Sequence, residues 1–151
     1  MKVTVLLRND HETIKGLFEE YRKGGNRGQH GKRELFNEIR RELTIQSEME
    51  REIFYPALSA IASKRAQDLV SSALQEHRTM EKLIHEIAGI NHQDRNFDAK
   101  VIHLIDEVSQ HIDREEDEIF DEARKTLPEY RLEELGLEME DRKKILGQLA
   151  A

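Results

Sequence analysis

Apolar side chains return at every third or fourth position along this chain and never alternate for long, a pattern that predicts helices and leaves strands little support. Leu7, His11, Ile14, Phe18 and Tyr21 form the first stripe, in a helix expected to begin at Asp10-His11-Glu12 with Asn9 or Asp10 as its cap. The stretch holding Gly24, Gly25, Gly28 and Gly31 reads as one long loop. A second helix, roughly 31–63, carries Leu35, Ile39, Leu43, Gln46, Glu50, Ile53 and Ala57, with Pro56 expected to bend it or remove one hydrogen bond. The third, 64–90, reads Ala66, Val70, Ala73, His77, Met80, Ile84 and Ile87. After a turn over 91–96 the fourth reads Val101, Leu104, Val108, His111, Glu115, Ile119 and Ala123 before Pro128. A short terminal helix from Glu129, with Leu132, Leu135, Leu137, Ile145 and Leu149, is expected to lie across one end.

Four such stripes with short connections predict an all-α fold, an antiparallel up-down-up-down four-helix bundle with a short extra C-terminal helix, and 1–151 as a single domain. That threading brings the polar interruptions of the seams to one level: His11, Gln46, Glu50, His77, His111 and Glu115. An unpartnered polar group in an apolar core costs about 2 to 7 kcal/mol, against whole-domain stabilities of about 5 to 15 kcal/mol, so such a layer must satisfy itself. A cation does so better than hydrogen bonds alone, because carboxylate and imidazole ligate divalent iron, manganese or zinc.

Composition narrows the chemistry. Cysteine is absent, which excludes disulfides, thiolate metal sites and cysteine nucleophiles and leaves nitrogen and oxygen donors. With 24 basic and 31 acidic residues the formal charge is −7, so neither nucleic acid nor a membrane surface is an expected partner. The apolar run at residues 3–7 is too short for a signal segment or a membrane span, and a cytoplasmic location is the expectation. Of seven histidines, three fall on seams, each in a different helix; His30, His85, His92 and His103 read as surface. Four of the seven have Glu four residues later, a spacing that acidic helices supply without any site, so the seam positions carry the signal. Within the run 114–118 only Glu115 is expected to point inward, and Met80 reads as core filler.

Asp10-His11-Glu12, the stretch from Glu42-Leu43 to Phe54-Tyr55-Pro56-Ala57-Leu58, Glu76-His77, His111 to Phe120 with Glu115-Glu116, and the closing Leu135-Gly136-Leu137-Glu138-Met139 resemble the hemerythrin-like, HHE cation-binding domains. The resemblance spans nearly the whole chain. It implies a non-haem centre of two iron ions held by His11, Glu50, His77, His111 and Glu115, with Glu50 and Glu115 bridging. At position 46, where the family resembles His-x-x-x-Glu, this chain has Gln46, a neutral and weaker donor. The metal nearest His11 is therefore expected to bind more weakly than the one nearest His77 and His111, with Glu42 one turn earlier as a replacement donor and other divalent metals able to fit.

The resemblance implies roles in binding or sensing oxygen, nitric oxide or iron, with oxygen or nitric oxide as the small ligand, no catalytic residue assigned and the protein partner open. Two alternatives stand beside that reading: a small di-iron enzyme consuming peroxide or nitric oxide, and a degenerate, metal-free bundle acting as an interaction protein.

Overall fold

The structure, a computed structural model, describes residues 1–24, 28–91 and 93–150, without the side chains of 28–30. The surface positions expected for His92 and for the His30 side chain lie outside the described residues. Four arms form the bundle. The first is α1 (Val3–Arg22). The second is α2 (Gly28–Met49), a π-helical turn over Glu50–Phe54, and α3 (Tyr55–Ser59). The third is α4 (Lys64–Ala88). The fourth is α5 (Arg95–Arg114), a second π-helical turn over Glu115–Ile119, and α6 (Phe120–Thr126). A last helix, α7 (Glu129–Ala150), follows Pro128.

Local chemistry sets several of these ends. Ser63 caps α4 by accepting the Ala66 N–H at 3.2 Å, and Asp94 caps α5 by accepting the Asn96 N–H at 2.9 Å. After α1 the chain turns at Gly24, whose φ of 70° favours glycine. The helix resumes at Gly28, so Gly28 and Gly31 belong to α2 and not to the expected loop.

The first helix begins at Val3, not at Asp10, because Val3, Leu6 and Leu7 are buried and extend its stripe by two turns. What buries them is α7, which is long rather than short. It runs beside α1 and α2 instead of crossing an end: Lys143 reaches Asp10 at 2.6 Å, Arg142 reaches Glu52 at 2.7 Å, and Arg41 donates to the Gly147 carbonyl at 3.1 Å. Of its expected stripe only Leu132 and Leu135 are buried, joined by Met139; Leu137, Ile145 and Leu149 face solvent.

The core is two apolar clusters, not one. Val3, Leu7, Met49, Phe54, Phe120 and Leu135 belong to one; Ile14, Phe18, Phe36, Met80, Phe97 and Val108 belong to the other. Along three of the four arms the change of cluster coincides with the polar positions: Leu7 and Ile14 flank His11, Ala73 and Met80 flank His77, and Ile112 and Ile119 flank Glu115; on the second it falls just before Gln46, between Leu43 and Ile45. A polar layer thus divides the core.

Gly136 is where α7 meets the chain's start, since a Cβ there would lie 1.8 Å from the Met1 carbonyl oxygen. Elsewhere in a helix Gly→Ala stabilises by about 1 kcal/mol. Here Gly136→Ala is expected to destabilise by about 1 to 3 kcal/mol, lowering the melting temperature by several degrees. Thermal unfolding followed by circular dichroism checks the sign, and a raised melting temperature contradicts this packing.

Candidate metal centre

His11 comes from α1, Gln46 from α2, Glu50 from the first π turn, His77 from α4, His111 from α5 and Glu115 from the second π turn; all six are buried. One ligand atom from each of Glu50, His77, His111 and Glu115 lies within 4.8 Å of the other three. His11 stands at the edge of this group, its Nε2 3.2 Å from Glu115 Oε1. The other Glu115 oxygen is 3.5 Å from His111 Nε2, so this carboxylate offers one oxygen to each half of the layer. Both Glu50 oxygens instead face one half, Oε1 lying 3.4 Å from His77 Nε2 and Oε2 3.1 Å from the Tyr55 hydroxyl.

Tyr55 is the central residue that seam periodicity missed. Its hydroxyl contacts Glu50, Glu115 and, at 3.3 Å, His77 Nε2. In an α-helix residues five apart are about 140° apart around the axis, which would keep Tyr55 off the face that Glu50 uses. The π turn changes that phase. Tyr55 N–H donates to the Glu50 carbonyl, an i to i+5 bond, and both side chains face the layer. The second π turn repeats the device: Phe120 N–H donates to the Glu115 carbonyl, and the Phe120 ring stacks on His11 with centroids 5.7 Å apart. Pro56, lacking an N–H, lies two residues beyond the first π turn, but the same place after the second is Asp121, so proline alone does not explain the pair.

Outside the layer, carboxylates orient two imidazoles. His11 Nδ1–H donates to Glu116 at 2.7 Å and His111 Nδ1–H to Glu76 at 3.0 Å, leaving each Nε2 lone pair turned inward. Arg8, 3.6 Å from Glu116, and Arg114, paired with Glu76, hold those carboxylates in turn. Glu116 is therefore not solvated face, as the charge run 114–118 suggested, but the partner of His11. Glu42 is no replacement donor, since it lies beside Arg41 at 3.5 Å and is partly exposed. Met80 is buried in the core, whereas His85 and His103 are exposed, all as expected.

Electrostatics shows what the layer lacks. Burial and the neighbouring Glu115 raise the Glu50 carboxyl well above its usual range. Burial alone would also raise Glu115, but the Glu50 carboxyl donating to it and the His11 and His111 rings beside it outweigh that and hold Glu115 well below that range. Two adjacent buried carboxylates thus share one proton. Burial, with Glu115 and Glu50 beside it, pushes the Tyr55 hydroxyl up as well. His77 is pushed down to about 4 by burial and by His111, so at neutral pH its imidazole is uncharged.

Four buried atoms of the layer have no hydrogen-bond partner: His11 Nε2, His77 Nδ1, Gln46 Oε1 and Glu115 Oε1. Two carboxylates, three imidazoles and a phenol are all ligands for a di- or trivalent cation, and Glu115 Oε1 and His11 Nε2 face each other without hydrogen-bond alignment. The residues fit a metal.

Residues 3–123 match the family model described as the hemerythrin HHE cation-binding domain. The chain belongs to the hemerythrin HHE cation-binding family. The match stops before α7. A hemerythrin HHE cation-binding domain-containing protein from Mycobacterium kansasii has the same fold, with a TM-score of 0.84 at 24% identity over 97% of this chain and 87% of that one. A protein of Nostoc sp. (strain PCC 7120 / SAG 25.82 / UTEX 2576) named DNA nickase is 26% identical over 148 residues, and this chain spans 41% of its length. Among the described residues no helix of this HHE domain is long and apolar enough to cross a membrane.

The low His77 value has a definite sign. Between pH 6.5 and about 4 the folded HHE domain binds fewer protons at His77 than the unfolded chain does, so this residue's contribution to stability falls on acidification through that window. Glu50, with its raised pKa, works in the opposite direction, so the His77 resonance isolates the effect better than a melting curve. In the metal-free chain a nitrogen-15 NMR titration is expected to place the His77 midpoint near 4, and a midpoint near 6.5 contradicts the burial argument.

Proposed function

We propose that the chain is a cytoplasmic non-haem iron protein with one tight and one weak metal position, serving to bind or sense oxygen or nitric oxide. The observation that carries this reading is the convergence of Glu50, His77, His111 and Glu115 donor atoms within 4.8 Å in a buried layer. When bound, iron supplies one-electron redox chemistry and coordination positions for a small molecule.

His77, His111, Glu50, Glu115 and the Tyr55 hydroxyl make the tight position. His11, the second oxygen of Glu115 and the Gln46 amide oxygen make the weak one. Glu50 and Glu115, which share one proton here, would give it up on holding a divalent cation at the tight position, and His11 Nε2, Gln46 Oε1 and Glu115 Oε1, unpartnered in the folded chain, would be the donors at the weak one. Glu76 and Glu116 keep the Nε2 atoms of His111 and His11 directed into the layer. Tyr55 holds a proton between the two carboxylates, and the apolar clusters on either side keep water out.

An activity on DNA, as in the name of the Nostoc relative, has no place in this reading, because a net charge of −7 repels a phosphate backbone.

Anaerobic loading with ferrous iron and metal analysis after desalting is expected to leave one firmly held iron per chain and a second that is readily lost. Gln46→His, which supplies an imidazole, is expected to tighten the second position by at least about tenfold. Unchanged stoichiometry and affinity in that variant would overturn the asymmetric assignment. Absorption bands that change reversibly with oxygen are expected of the loaded protein. Sustained turnover of peroxide would instead make it an enzyme.

A further inference from the structure

Two cavities meet beside the centre. The inner one, about 20 Å³, is lined by Gln46, Glu50, His77 and His111 and by buried apolar residues such as Ile14 and Val108. The outer one is a groove of about 320 Å³ between α2 and α4, with Arg51 and Glu81 at its rim. Leu43, Ser47 and Met80 line both. These two arms pack closely mainly through α3, and beyond the groove Arg33 bridges them by donating to the Ala88 carbonyl at 3.1 Å, so the space between them is framed at both ends.

We propose that small uncharged molecules reach the centre through this groove, passing between Leu43, Ser47 and Met80 into the inner cavity. Leu43, Ser47 and Met80 are the residues the two spaces have in common. Ser47 is short, and Met80 has a flexible, unbranched chain that moves aside without any backbone shift. A cavity of about 20 Å³ holds roughly one water, so the molecule has one or two heavy atoms. The apolar walls of Leu43 and Met80 strip hydration, which an ion resists and a neutral molecule tolerates. The unpartnered Gln46 Oε1, in a side chain only 7% exposed, lines the cavity and gives it a polar contact.

The groove between α4 and the fourth arm, about 530 Å³ beside Glu76 and Arg114, shares no lining residue with the inner cavity, and there the Glu76 carboxylate pairs with Arg114 and accepts from His111. That face is closed by an ion pair where the α2–α4 face is closed by a serine and two flexible apolar chains.

The route is a property of the chain, but what the molecule meets at its end rests on the metal reading above, so the test has two arms. In the metal-free protein, dissolved dioxygen is a paramagnetic probe whose effect on methyl relaxation reports access. The Val108 methyls are expected to relax faster than the equally buried Leu104 and Ile105 methyls. Ser47→Phe is expected to remove most of the Val108 enhancement, and the same change in the other groove, Ser72→Phe, to leave it. Equal enhancement at all these methyls in the unmodified chain overturns the route. In the iron-loaded protein, stopped-flow binding of nitric oxide is expected to show association and dissociation slowed together by about tenfold in Ser47→Phe, with affinity unchanged. Met80→Ala is expected to speed both, and unchanged rates in both variants contradict the proposal. A chain that retains no iron fails the metal reading, and the relaxation arm then decides the route alone.

Discussion

Everything in this molecule accommodates the burial of two carboxylates side by side. Glu50 and Glu115 are both buried, and the interior cannot hold both charges unaided. One proton, three imidazoles and a phenol compensate them in part, and a cation held by these donors would complete the arrangement. The layer divides the hydrophobic core into two clusters, each packed by leucine, isoleucine and phenylalanine. Apolar area lost from the middle of the bundle is made up at one end, where α7 adds Leu132, Leu135 and Met139 to the cluster that holds Val3, Leu6 and Leu7.

The two π turns are how the backbone meets that constraint. Each starts at one of the carboxylates and ends before an aromatic residue, Tyr55 or Phe120, whose N–H closes the wide turn. One extra residue per turn rotates the aromatic side chain inward, where Tyr55 hydrogen-bonds both carboxylates and Phe120 stacks on His11. A regular helix would present the carboxylates and leave these rings elsewhere. The turns therefore belong to the site as much as its side chains do.

This explains which parts were legible in the chain. His11, His77 and His111 could be found because each replaces an apolar residue at an unbroken three-and-four spacing, and threading the four stripes brings them level. Tyr55 could not, because periodicity assumes 3.6 residues per turn and the chain departs from it within the five residues after Glu50. Glu116 and Glu76 were hidden differently: their carboxylates lie at the edge of the layer, partly exposed, in runs whose other charges are solvated. The start of α1 was misplaced because Asp10 resembles a cap, whereas its side chain is held by Lys143 of α7, a long-range contact that no local signal announces. The length of α7 escaped notice for a related reason, since most of its far half faces solvent and lacks a continuous apolar stripe.

The central claim is that the polar layer is tolerated in the core because a cation binds it in the folded chain alone. Ferrous iron, added anaerobically at rising concentration to the full chain, should raise the melting temperature progressively. A concentration one hundred times the dissociation constant adds about 2.7 kcal/mol, several degrees for a chain of this size. That dependence should vanish in Glu115→Gln, where the carboxylate facing both halves has lost its charge. A melting temperature that ignores iron in the unmodified chain would contradict the account.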